Sequence, residues 1–169
     1  MSEEKKCPCI KYILPICIIL IVFLPFLICS KMSNKSKKVI EHSFEDKLLV
    51  DLKNGEASGY YIFDRIFFSK GSAQISDDSD EQINRVALIL RSYPKLKVLL
   101  RGHTDNTGDP IFNKQLSLNR AISLRFKFIE RKIDPERIKV KGLGSEEPIA
   151  DNNDAVGREA NRRIDISFF

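Results

Sequence analysis

Residues 12–28 read YILPICIILIVFLPFLI, seventeen consecutive positions without a charge. A run of that length sits at the short end of what spans a hydrocarbon core about 30 Å thick. The chain has to place it in lipid, bury it or lose it. Pro15 and Pro25 lie near its ends, where a helix best tolerates a missing N–H. Three readings compete. The first is an uncleaved N-terminal transmembrane helix. The second is a lipoprotein signal ending at Cys29. Phe26, Leu27 and Ile28 precede that cysteine, where such signals carry a small residue. The third is a cleaved signal peptide, although no small-x-small site follows the run. Lys5, Lys6 and Lys11 precede it and Lys31, Lys35, Lys37 and Lys38 follow, so positive charge does not fix an orientation.

All four cysteines, Cys7, Cys9, Cys17 and Cys29, lie within the first thirty residues. No disulfide framework therefore holds a domain further along. Cys7-Pro8-Cys9 offers two thiolates without further ligands, a poor metal site, and neither a metal nor a cofactor is expected. The net charge of +5 divides into +1 over residues 1–30, +2 over 31–54 and +2 over 55–169. The largest part of the chain is nearly balanced. A nucleic-acid-binding domain concentrates positive charge, so nucleic acid is not an expected partner.

The chain divides into a short segment 1–11, the anchor or signal 12–30, a linker 31–54 and a folded domain 55–169. The linker starts Lys/Ser-rich and runs into VIEHSFEDKLLVDL, either a linker helix or a lead into the domain. Asn54-Gly55 is a turn signal. Within the domain, YYIFDRIFF over 60–68 is aromatic and β-branched and predicts a strand. Ile83, Val86, Ala87 and Leu90 recur at helical spacing, and Pro94 ends that helix. Residues 95–101 and 137–141 predict two more strands. Leu116, Ala121, Leu124 and Phe128 line a long helix ending near Lys132. Residues 142–157 read as loop, and 163–169 as a closing strand. The expectation is an α+β fold, a β-α-β-α-β-β two-layer sandwich with two helices on one face of a small mixed sheet.

The second half carries a denser signal. It reads GHTDNTGDPIFNKQLSLNRA, then RIKVKGLGSEEPIADNN, then REANRRIDI. The G-H-T-D loop, the asparagine eight residues after its aspartate, the L-S-x-x-R-A helix, the G-x-G-x-x-x-P turn and the N-R-R strand resemble the OmpA-like C-terminal domain. That family comprises peptidoglycan-binding modules of outer-membrane proteins, peptidoglycan-associated lipoproteins and flagellar stator subunits. The resemblance covers roughly residues 62–169. It implies a non-enzymatic domain that grips the peptide stem of peptidoglycan at its diaminopimelate. That ligand presents an ammonium beside a carboxylate, which calls for an anion and a fork-shaped cation.

On this resemblance Asp105 matches the family's loop aspartate and Arg120 its helix arginine. Asn113 and Arg120 lie two turns apart on one helical face, and the backbone N–H groups from Thr104 onward suit an anion. Arg162 or Arg163 matches the last motif. Strand alternation sends one of them to the ligand side, with Arg163 preferred. Gln74 is a further candidate contact. Arg101 departs from the family, which often has an acid before the loop. Plainer roles stand beside these: a cap or turn for Asp105, a surface ion pair for Arg120, loop support for Asn113. His103 beside Asp105 and Ser117 invites a hydrolytic reading, but no G-x-S-x-G elbow is present. Glu146 and Glu147 are adjacent and expected to point apart, which argues against a carboxylate pair for glycan cleavage.

Together these readings predict a membrane-anchored protein whose C-terminal domain lies in the periplasm of the cell envelope. The inner membrane is expected for an uncleaved helix and the outer membrane for a lipidated Cys29. The expected partners are peptidoglycan and the bilayer, the latter through residues 12–30. The alternatives are a wall anchor within a larger envelope machine, such as a secretion system, and an interaction module for another envelope protein. A proton-driven stator needs an ionisable group in its membrane helix, and residues 12–28 contain none.

Overall fold

A computed structural model describes residues 43–69 and 71–169. The apolar run at 12–28, and with it the choice among anchor, lipoprotein signal and cleaved signal, lies outside the described residues. Among the described residues no helix is long and apolar enough to cross a membrane.

The first described element is a helix, α1 (Phe44–Asn54), with Glu45 and Asp46 in its first turn and Lys53 in its last. Those charges complement the helix dipole. Gly55 closes the helix at φ 72°, a conformation glycine adopts without strain. Glu56 N–H reaches back to the Asp51 carbonyl at 2.8 Å. The helix packs against the rest of the domain. Leu48 is fully buried, and the Phe44 ring meets Phe63 edge-on at 5.0 Å. Glu45, also buried, pairs with Arg65 at 3.1 Å. The compact unit is accordingly Ser43–Phe169. The amphipathic end of the expected linker thus packs onto the core, ahead of the expected domain start at 55.

Tyr61 ties α1 to the sheet, its hydroxyl donating to Asp51 at 2.6 Å. Burial, then the Asp51 carboxylate, push its phenol up to about 12. The neutral phenol is the folded form, so its contribution is complete below the ordinary value near 10. It is lost as pH rises through about 12. Of the four tyrosines, one is expected to ionise near pH 12 in an absorbance titration. Tyr61→Phe removes that step, and a titration with no such late step refutes the contact.

The sheet has four strands: β1 (Tyr60–Ile62), β2 (Val98–His103), β3 (Ile138–Gly144) and β4 (Ile164–Phe168). Their order is β1-β4-β2-β3, with β2 and β3 parallel and the other pairs antiparallel. Helix α2 (Asp80–Ser92) precedes β2, and the long α3 (Pro110–Glu130) forms the crossover to β3. A short α4 (Ala155–Asn161) precedes β4. The core joins Ile83, Val86 and Leu90 of α2, Ala121, Leu124 and Phe128 of α3, and Leu100, Ile164 and Ile166 of the sheet.

Two glycines set how close α3 lies. A Cβ on Gly102 would fall on the Ser117 carbonyl, and one on Gly142 would come within 2.6 Å of the Leu118 backbone nitrogen.

The predicted mixed α+β fold is present, with three corrections besides the added α1. The first strand spans three residues rather than nine. After Phe63, whose N–H still reaches the Ile164 carbonyl at 3.0 Å, the chain leaves the sheet. Arg65 N–H goes to Gln82 Oε1 and Phe67 N–H to Ser79 Oγ, each at 2.9 Å. Side chains at the start of α2 thus capture the backbone. The end of the 142–157 loop is the start of α4, capped by Asp154, whose Oδ1 accepts Gly157 N–H at 2.6 Å. Its seven residues carry no apolar period. Strands β2 and β3 also extend further toward the loops than predicted, to His103 and Gly144.

Candidate functional site

The loop between β2 and α3 is built by its own polar side chains. Asp109 caps α3, its Oδ1 accepting Phe112 N–H at 2.8 Å, and Pro110 takes the first helical position. Asp105 is 8% exposed. Its Oδ1 accepts Thr107 N–H at 2.9 Å, and its Oδ2 accepts from Arg162 Nη1 at 2.5 Å. Arg162 also donates to Glu159. Burial pushes the Asp105 carboxyl up, but the Thr107 donors and the Arg162 guanidinium outweigh it and hold it below its ordinary value. The bond to Asp105 in turn holds the Arg162 guanidinium firmly protonated.

Arg120 comes from the third turn of α3 and is 8% exposed. Its guanidinium lies 4.9 Å from the centre of the Phe68 ring, and Nε donates to the Ser72 carbonyl at 3.0 Å. Among the described residues no acceptor meets its two terminal nitrogens. Burial, then the neighbouring Arg162 charge, lower its pKa, while Asp105 partly offsets them. Asp105 and two guanidinium groups therefore share an electrostatic neighbourhood, with the Glu159 carboxylate on the outer side of Arg162. The arrangement suits a ligand bearing an ammonium close to a carboxylate.

The other expected residues take different places. Thr104 is buried; its N–H donates to the Gly144 carbonyl at 2.8 Å and its hydroxyl to the Asp105 carbonyl at 2.9 Å. Both donors are committed to the fold, so Thr104 shapes the loop and offers no N–H to an anion. Asn113 is buried as well and donates to the Thr107 carbonyl at 2.8 Å, the loop-support role. Gln74 is exposed on the 69–76 hairpin, the same loop whose Ser72 carbonyl holds Arg120.

Arg163 is the clear correction. Its Nη2 donates to the Glu147 carbonyl at 3.1 Å, away from Asp105, and the arginine beside Asp105 is Arg162. Arg162 precedes β4, whose pairing starts at Ile164. Strand alternation therefore does not extend to it.

Sequence reasoning misses Asn161, although it opens the N-R-R motif. Fully buried, it accepts from Ile149 and Ala150 N–H at 2.8 and 3.1 Å. It also donates to the Ala150 carbonyl and to Asn152 Oδ1. It fixes the loop that faces the site, since Asn106 N–H reaches Asn152 Oδ1 at 3.4 Å.

The groups a hydrolytic centre would need are engaged elsewhere. His103 is buried with Nε2 on Asp165 at 2.9 Å, and Ser117 Oγ donates to the Lys114 carbonyl. Glu146 pairs with Lys114 and Glu147 with Arg101, so the two carboxylates diverge. Among the described residues no three potential metal ligands cluster.

The chain is similar to known proteins in sequence and in fold. The sequence profile of the OmpA family matches residues 67–162. The probable lipoprotein YiaD of Escherichia coli (strain K12) is 37% identical over 103 residues, covering 61% of this chain and 47% of that protein. Motility protein B of Bacillus subtilis (strain 168) is 33% identical over 139 residues, covering 78% of this chain and 50% of that protein. The chain thus spans about half the length of these curated relatives. The crystal structure of the peptidoglycan-associated lipoprotein from Burkholderia pseudomallei superposes with a TM-score of 0.58 at 26% identity. That match covers 62% of this chain and 88% of the other.

Proposed function

This chain belongs to the OmpA family, and from that premise we propose that it tethers a membrane to the cell wall by binding peptidoglycan non-covalently. Asp105 receives the ammonium of diaminopimelate in the stem peptide. Arg120, stacked on Phe68, receives the carboxylate, and Arg162 adds a second cation and holds Asp105 ionised. The apolar segment within residues 12–30 supplies the membrane end. The observation that carries the reading is the nearly buried Asp105 with two guanidinium groups around it. A desolvated charge has to be met by an opposite one, and this site holds both signs.

The test is co-sedimentation of the full chain, held in detergent, with insoluble peptidoglycan. Pelleting with a diaminopimelate-containing wall, reversed by free diaminopimelate and absent with a lysine-containing wall, is the expected result. Folded protein that stays in the supernatant with both walls overturns the reading.

A second reading, a wall anchor inside a larger envelope machine, is supported by the 78% of this chain that aligns with motility protein B. The uncharged run at 12–28 argues against a proton-driven stator role. Recovery of a cross-linked envelope protein from cells would favour the machine.

A further inference from the structure

A cluster of buried charge lies beside the ligand site without touching it. Ile164 and Ile166 enter the core, so alternation sends Asp165 to the opposite face of β4, where Arg163, just before the strand, approaches it. Asp165 is fully buried there. Its Oδ1 accepts from Arg101 Nε at 2.6 Å. Its Oδ2 faces His103 Nε2 at 2.9 Å and Arg163 Nη2 at 3.8 Å. Arg101 and Asp165 are direct partners across the β2–β4 ladder. The His103 N–H continues that ladder to the Arg163 carbonyl at 2.9 Å. Glu147, the other acid present, meets Arg101 at 3.3 Å.

The cluster lies at the root of both halves of the site. Asp105 follows His103 by two residues, and Arg162 immediately precedes Arg163. A bulge between Gly102 and His103 shifts the register against β3 from Gly142 to Gly144. At a bulge the strand bends, so the ladder alone does not set the direction in which the chain leaves β2.

Stability does not account for this arrangement. Replacing a buried ion pair by well-packed apolar side chains is often neutral or stabilising. Here His103 Nδ1 and Arg163 Nε and Nη1 are buried without a partner among the described residues, which adds a desolvation cost. What an apolar replacement does not supply is direction. A carboxylate fixes which ring nitrogen of a histidine carries the proton and where the ring lies.

We propose that Asp165 is a positioning residue for the ligand site. Through His103 it fixes the exit of β2 toward Asp105, and through Arg163 it fixes the chain that carries Arg162. Its effect on binding rests on the wall-binding reading; its effect on the unliganded site does not.

The test uses the full chain in detergent micelles, with 13C-labelled aspartate and 15N-labelled histidine, as wild type and Asp165→Asn. In the wild type the His103 ring proton is expected on Nε2 and the Asp105 carboxyl titrates below the ordinary carboxylate range. In Asp165→Asn the asparagine amide competes for that ring nitrogen, so the His103 nitrogen shifts change and the Asp105 titration moves toward its ordinary value. Affinity for peptidoglycan falls at least about fivefold, and Asp165→Glu recovers part of it. A folded Asp165→Asn with unchanged Asp105 titration and unchanged affinity overturns the proposal. Should Asp165→Asn not fold, Arg101→Met removes the Oδ1 contact from a partly exposed position. The same Asp105 shift is then expected, and its absence overturns the proposal. Should the wild type not bind peptidoglycan, the wall-binding reading fails, and the Asp105 titration still decides on positioning.

Discussion

Arg120→Ala lowers affinity for insoluble peptidoglycan by at least about tenfold, and Asp105→Ala does the same. Truncating one partner of a desolvated, hydrogen-bonded charge pair costs roughly 2–5 kcal/mol. Both residues are only 8% exposed in the free protein. The rim at Arg162 is about one-third exposed, which places the expectation at the low end. Since 1.4 kcal/mol is a factor of ten, even the low end reads as a clear loss in co-sedimentation.

Asp105→Asn separates charge from loop geometry. Asparagine Oδ1 still accepts Thr107 N–H, so the loop persists, yet the anion is gone and binding falls. The carboxylate's pKa is depressed, so its contribution is complete above the ordinary value and disappears as pH falls through the lower folded value. Wild-type binding at about pH 5 should therefore match that at about pH 7. Equal binding by wild type, Arg120→Ala and Asp105→Ala removes this site from the interaction.

Much of this was legible in the sequence because local rules and tertiary structure agreed. The α2 face of Ile83, Val86 and Leu90 and the α3 face of Ala121, Leu124 and Phe128 bury as their spacing predicts. Motif spacing singled out Asp105 and Arg120 as candidates, and the fold brings the two into one electrostatic neighbourhood. What escaped depends on partners distant in sequence. The first strand ends early because Gln82 and Ser79, more than ten residues away, take its backbone N–H groups. Thr104 loses its backbone N–H to the Gly144 carbonyl, forty residues on. Arg162 rather than Arg163 meets Asp105, and both precede β4, where strand alternation gives no guide. Helix α4 has no apolar stripe and depends on the close approach of Gly157 to the Asp151 carbonyl.

Leu48→Ala is the second large effect, and it decides whether α1 belongs to the domain. Leu48 is fully buried in the same cluster as Ile83, Val86 and Phe128. Removing such a side chain from a core costs about 2–5 kcal/mol, a large share of a stability of roughly 5–15 kcal/mol. The exposed polar tie of α1 to α2 is weaker. Asp46–Arg85 is part-exposed on both sides, and surface pairs contribute about 0–1 kcal/mol. Apolar burial thus dominates the docking, and the melting temperature of Leu48→Ala should drop by on the order of 10 °C. Val50, on the same helix but 55% exposed, supplies the control. Val50→Ala should stay within about 0.5 kcal/mol of wild type. If both variants of the full chain melt with the wild type, α1 is a detachable linker and the domain starts at residue 55. If only Leu48→Ala falls, α1 is held by the core and the domain starts at Ser43.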